Sequence, residues 1–151
     1  MSPYRKILVV CHGNICRSPV AGAMLQQALP DREVRTAGLG AVVGAGVDPN
    51  ATELAVASGL DVSAHKAQQI NTDLIQWADL ILVMSHNQRV HLGQSASSAL
   101  GKTMLLGHWL RDGSGEPGGK EIPDPYKKSR EVFEHVHAMM EEAVALWKTK
   151  I

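Results

Sequence analysis

The sequence predicts an α/β fold: a single three-layer domain over residues 1–151, with a four-stranded parallel sheet flanked by helices. Three observations point there. Short β-rich runs alternate with segments of helical period, the pattern of parallel strands joined by right-handed helical crossovers. The two strongest runs, RKILVV at 5–10 and ADLILVM at 78–84, are almost unbroken in apolar character, as strands covered on both faces require. A chain of 151 residues with 44% hydrophobic content buries one core and has no need of a second domain.

In chain order, residues 5–10 form the first strand. Ser18 is placed to cap a helix running to about Leu29, with Pro19 at its first position, where a missing N–H costs nothing. Residues 34–39 are a weaker strand, and GLGAVVGAGVDP, starting at Gly38, reads as a loop. Residues 48–58 look helical, and Gly59 stands where a helix would stop. A short helix at 72–77 leads into ADLILVM. Residues 86–100 are expected to be helical, and KTMLL at 102–106 is the last short strand. From Arg111 to Tyr126 the chain reads RDGSGEPGGKEIPDPY, too rich in Gly and Pro for regular structure and long enough to suggest a functional loop. Beyond it Val132, Val136, Met139, Met140, Ala143, Val144 and Trp147 recur at helical spacing as one core-facing stripe.

Fifteen basic residues balance fifteen acidic ones, so no overall field favours nucleic acid or anionic lipid, and any anion site must be local. The apolar run near the N-terminus is too short for a signal peptide, and no stretch approaches a membrane span. The expected location is the cytoplasm, where Cys11 and Cys16 are reduced thiols rather than a structural disulfide. No metal is expected: His12 with Cys11 and Cys16 lacks a fourth ligand, and His135 and His137, two apart on a helix, face different ways. His86, His91 and His108 read as ordinary polar positions. Nothing calls for a cofactor.

The segment VVCHGNICRSP at 9–19 places Cys11 where a strand gives way to a loop that opens a helix. Such a loop presents backbone N–H groups and the positive end of the helix dipole, which together hold an anion. Gly13 lets the backbone turn and approach a ligand. Arg17, six positions after the cysteine, carries a fork of donors matched to two phosphate oxygens. The same field favours a thiolate over a thiol, so a nucleophile would face a phosphorus atom.

With CHGNICRSP at 11–19, TAG at 36–38, DVSAHKAQQI at 61–70, ADLILVM at 78–84, LLGHW at 105–109 and IPDPY at 122–126, nearly the whole chain resembles the low molecular weight protein tyrosine phosphatases, in particular their bacterial members. The resemblance implies a phosphate loop after the first strand. It implies that Cys11 attacks phosphotyrosine phosphorus to give a phosphocysteine intermediate, and that Asp124 protonates the leaving phenolate and later activates water. Arg17 and the amides of His12, Gly13, Asn14, Ile15, Cys16 and Ser18 would bind the phosphoryl oxygens. Ser18 would hydrogen-bond the Cys11 sulfur, and Asn14, with His65 and the region of Thr36, would hold the loop in its strained shape. Tyr126 would wall the pocket and Val42 or its neighbours would form part of the rim. The implied partners are a phosphotyrosine protein, specifically an autophosphorylated bacterial tyrosine kinase of exopolysaccharide or capsule export, and inorganic phosphate as product and inhibitor.

Three positions depart from the family pattern. Thr36 stands where serine is common, and Lys127 stands where eukaryotic members carry a second tyrosine. GSGEPGG at 113–119 looks long and is expected to loosen the loop that delivers Asp124. Cys16 reads first as a small buried residue and second as a thiol that captures oxidised Cys11 in a disulfide. Of the rival activities, an arsenate reductase needs cysteines beyond Cys16, and none follows. A phosphocysteine carrier of a sugar phosphotransferase system would require neither Asp124 nor Arg17. A phosphotyrosine-binding module would require no nucleophile.

Overall fold

The structure is a computed structural model that describes residues 4–111 and 119–151. Its elements in chain order are β1 (Lys6–Cys11), α1 (Arg17–Ala28), β2 (Glu33–Gly38), α2 (Pro49–Ala57), α3 (Thr72–Trp77), β3 (Leu80–Val83), α4 (His86–Ser95), a 3₁₀ turn (Ser97–Lys102), β4 (Thr103–Leu105) and α5 (Arg130–Lys148). All strand pairings are parallel, in the order β2-β1-β3-β4. The expected three-layer α/β fold is thus the observed one.

The strand alternation divides the interior. Ile7, Val9 and Cys11 face the same way as Leu80 and Leu82, into a core built with α1, α2 and α5. Leu8 and Val10 face the opposite way with Ile81 and Val83, against Leu74, Ile75 and Leu92 of α3 and α4. Each such side chain contributes roughly 1.5–3 kcal/mol on burial. The two central strands, β1 and β3, therefore form a rigid platform. β2 lies at the edge and alternates in exposure, which is why its apolar signal is weaker in the sequence.

The chain leaves β1 first toward β2 and later returns to β1's other side as β3. That reversal of direction opens a crevice at the carboxyl end of β1, where open α/β sheets bind their ligands. Cys11 is the last residue of β1.

Two helices differ from expectation. α1 begins at Arg17 rather than after Ser18, with Cys16 in the capping position and no side-chain cap. Ser18 lies inside the first turn because its hydroxyl is engaged elsewhere, by Asn14 and the Cys11 sulfur. Pro19 then occupies the third helical position, whose N–H also lacks an intrahelical acceptor, so proline remains tolerated. α4 stops at Ser95 and does not continue to Leu100. Ala96 turns to an extended conformation, φ −151° and ψ 97°, and the 3₁₀ turn folds Leu100 back onto Gly93, where a Cβ would lie 2.4 Å from the Leu100 side chain.

The other expectations for the helices hold closely. Asp48 caps α2 by accepting from the Asn50 N–H, and Gly59 follows its end with φ +79°, a conformation that favours glycine. On α5 the buried stripe is Val136, Met140, Ala143, Val144 and Trp147, joined by Phe133 and His137, while Val132 and Met139 are half-buried. All but Gly119 of GSGEPGG lies outside the described residues. Among the described residues no helix is long and apolar enough to cross a membrane.

Candidate active site

Five consecutive carbonyls, beginning with that of the last residue of β1, are turned outward and held. The Cys11 carbonyl accepts from the Leu39 N–H (3.0 Å), that of His12 from Gly40 (2.9 Å), that of Gly13 from Val42 (3.1 Å) and that of Ile15 from Asp48 (2.8 Å). The fifth, on Asn14, accepts from the His65 ring at Nε2, 2.7 Å away. In a planar trans peptide the N–H of the next residue points opposite to the carbonyl. Turning carbonyls 11–15 outward therefore turns the amides of His12, Gly13, Asn14, Ile15 and Cys16 toward the hollow of the loop, and the Asn14 N–H reaches the Cys11 sulfur at 3.3 Å. Such a ring of inward N–H groups at a helix N-terminus is an anion cradle.

Asn14 is the hub that fixes this ring. It is wholly buried and has φ +59°, a left-handed conformation that asparagine tolerates better than most residues. Its Oδ1 accepts from the Gln68 N–H at 3.0 Å, and its Nδ2 donates to Ser18 Oγ at 2.7 Å and Thr36 Oγ1 at 3.0 Å. Because Ser18 Oγ accepts from Asn14, its own proton is free for the Cys11 sulfur, 3.0 Å away. The extra methyl of Thr36, relative to serine, fits because Gly22 of α1 faces it. A Cβ on Gly22 would stand 2.5 Å from Thr36 Cγ2.

Arg17 joins this loop to the segment carrying Asp124. Its side chain is buried, and Nη1 donates to the Ile122 carbonyl at 2.8 Å. The other terminal nitrogen lies 3.7 Å from a carboxylate oxygen of Asp124, which is about half exposed. Ile122 is in turn tied to the end of β3, its N–H donating to the Met84 carbonyl at 2.9 Å. The Asp124 carboxylate also accepts from the Tyr126 N–H at 3.1 Å, forming the turn that sets Tyr126 at the mouth.

Cys11, His12, Gly13, Ile15, Cys16, Arg17, Gly40, Val42, Asp124 and Tyr126 enclose a cleft of about 230 Å³. The size and the apolar Ile15, Val42 and Tyr126 suit one aromatic ring, with the cradle as its floor. Burial, reinforced by the nearby Asp48 and Asp124 carboxylates, pushes the Cys16 thiol up to about 12. Cys16 is therefore a protonated thiol near neutrality.

All thirteen residues singled out in the sequence meet here. Ten line the cleft or stand beneath the sulfur, and Asn14, Thr36 and His65 brace them. Gln68, Gln69, Gly38 and Gly40 were not foreseen. Gln68 Nε2 donates to the Thr36 carbonyl at 2.9 Å, and the Gln69 amide both accepts from Ala41 N–H (2.9 Å) and donates to the Leu39 carbonyl (2.7 Å). A Cβ on Gly38 would fall 2.5 Å from the His12 carbonyl, and one on Gly40 2.9 Å from the His12 ring. The only signal for these was the conjunction of AQQI with a glycine-rich run.

Comparison with known proteins agrees with this geometry. The family model for low molecular weight phosphotyrosine protein phosphatase matches residues 6–151. The protein named low molecular weight protein-tyrosine-phosphatase Wzb from Escherichia coli K12 is 44% identical over 144 residues, 95% of this chain and 93% of that one. Wzb from Escherichia coli K30, solved with sulphate, superposes with a TM-score of 0.90 at 39% identity, covering 97% of this chain and 98% of that one. Wzb from Vibrio vulnificus, solved with benzylphosphonate, gives 0.89 at 40% identity, covering 98% and 99%. The chain thus belongs to the low molecular weight phosphotyrosine protein phosphatase family, in its bacterial form, and is a cysteine-dependent protein tyrosine phosphatase.

Proposed function

We propose that Cys11 is the nucleophile, Arg17 the phosphate-binding cation and Asp124 the general acid and base of phosphotyrosine hydrolysis. The observation that carries this reading is the outward fixing of carbonyls 11–15, which turns the following amides toward the hollow of the loop, where they would meet a phosphoryl group brought to the Cys11 sulfur.

The sulfur lone pair forms the S–P bond as the bond from phosphorus to the phenolic oxygen breaks. Asp124 gives its proton to that oxygen, since the conjugate acid of tyrosine phenolate has a pKa near 10 and phenolate leaves poorly without one. The inward amides and Arg17 hold the three equatorial oxygens throughout. In the second step the Asp124 carboxylate takes a proton from water, which attacks phosphorus. The S–P bond breaks, inorganic phosphate is formed, and the Ser18 hydroxyl stabilises the departing thiolate. Phosphate, binding the same cradle, would act as product inhibitor.

The substrate is a tyrosine-phosphorylated protein, and the benzylphosphonate held by the Vibrio relative supports an aryl group in the cleft. The physiological partner we propose is an autophosphorylated tyrosine kinase of exopolysaccharide or capsule export, met in the cytoplasm. This rests on the likeness to the bacterial relatives. The catalytic test is Cys11→Ser with p-nitrophenyl phosphate. The rate should fall roughly 10⁵- to 10⁶-fold, and acid quenching should trap a phosphoenzyme from the parent only. Retained turnover in the serine variant would refute the assignment. A pull-down with Asp124→Ala tests the partner, which should be recovered phosphorylated on tyrosine.

A further inference from the structure

Two described residues other than glycine adopt positive φ, Asn14 and Lys127. Asn14 has its reason in the loop it organises. Lys127, with φ +61°, directly follows the cleft wall Tyr126 and has no such structural task. Glycine would relieve that position at once, and left-handed residues of other types concentrate where the side chain is used. The Lys127 ammonium lies 5.5 Å from the centre of the Tyr126 ring, within cation–π range. The turn is closed beneath it by the Lys128 N–H donating to the Pro125 carbonyl at 2.9 Å. Lys127 is exposed, and no described carboxylate stands within ion-pair distance of it.

We propose that Lys127 is a specificity-determining residue of the phosphatase reaction, an ammonium seated on the rim by the Tyr126 ring that favours phosphotyrosines with acidic neighbours. This deepens the catalytic reading above and rests on it. A substrate ring packed on Tyr126 would lie about 4.5–7 Å from it, which brings the residues beside the phosphotyrosine within roughly one Debye length, about 10 Å in 0.1 M salt, of the Lys127 charge. An acidic neighbour is attracted across that distance and a neutral one is not. The Asp124 carboxylate, three residues before Lys127, is already turned to Arg17.

The test compares two phosphotyrosine peptides that differ only in carrying Glu or Gln on both sides of the phosphotyrosine. At low salt the parent enzyme should prefer the Glu peptide by about two- to fivefold in kcat/KM, the range of an exposed ion pair, with the difference in KM. Lys127→Arg should keep that ratio. Lys127→Gly, which frees the backbone, should bring it close to one without lowering the melting temperature, and high salt should do the same to the parent. Equal rates on both peptides in the parent, or an undiminished ratio in Lys127→Gly, would overturn the proposal. An enzyme that hydrolyses neither peptide nor p-nitrophenyl phosphate would instead overturn the catalytic reading, and this proposal with it.

Discussion

The two loops that meet over the cleft are built on opposite terms. In the loop from Cys11 to Ser18, Asn14 and Ser18 are completely buried and Cys11, Cys16 and Arg17 nearly so, and donors from five other positions hold its carbonyls. In the loop from Asp124 to Lys127, Tyr126 is 46% exposed and the Asp124 carboxylate meets the first loop only through a 3.7 Å ion pair, a contact worth at most about 1 kcal/mol at such exposure. The difference follows the chemistry assigned to each. Dipoles that receive phosphoryl charge act best when they are fixed before the reaction. A group that must donate a proton, then accept one, and then let phosphate out is better carried on a segment that can yield between steps.

The sharpest way to break the contrast is to remove the acid without touching the cradle. Asp124→Asn should slow phenyl phosphate hydrolysis by about 10²- to 10⁴-fold. The loss should be much smaller with p-nitrophenyl phosphate, whose leaving group needs less protonation. Thermal unfolding should be nearly unchanged, because the side chain is half exposed. Equal losses on both substrates would show that Asp124 positions the substrate rather than protonating it.

Damage to the cradle should look different. Asn14→Ala removes the acceptor of the Gln68 N–H and the donor to Ser18 and Thr36, and of these partners the buried Ser18 hydroxyl carries the largest loss, about 1–3 kcal/mol. Denaturant unfolding should register that loss, and the rates on phenyl and p-nitrophenyl phosphate should fall by the same factor. A leaving-group-dependent loss in this variant would dissolve the division of labour between the loops.

The contrast also explains what could be read in the sequence. The cradle was legible because it is local: a doubly covered strand, a cysteine, a glycine and an arginine stand within a dozen residues. Asp124 was legible only through its company with that segment, since an Asp-Pro pair by itself is an ordinary turn. The bracing was poorly legible because much of it acts through backbone atoms brought from afar. Gln68 contributes its N–H across 54 residues, and Gly38 and Gly40 contribute the absence of a side chain. The start of α1 differs from the sequence pattern for a more local reason. Ser18 has the look of a cap, and what diverts it is a sulfur seven residues earlier.

His137 lies where the two regions share a foundation, lining a small cavity with Cys16 of the cradle and Pro125 of the acid loop. Its Nε2 meets the Ser58 hydroxyl at 2.8 Å and lies 3.6 Å from Glu141. Burial lowers its pKa below the ordinary 6.5, against the opposing pull of Glu141. The native protein therefore resists protonating His137, whereas the unfolded chain takes up that proton as the pH falls through about 6.5. Stability contributed by the neutral ring is full above that value and is lost on acidification until the native form is protonated as well. Asp61, lowered below 3.8 by its hydrogen bonds to Ser63, adds its own acid sensitivity only at lower pH, outside this window. Urea unfolding of the parent should accordingly show lower stability at pH 5.5 than at pH 7.5, and His137→Gln, which keeps a partner for Ser58 without titrating, should narrow the difference. If parent and variant lose the same amount, the acid sensitivity arises outside the junction beneath the two loops.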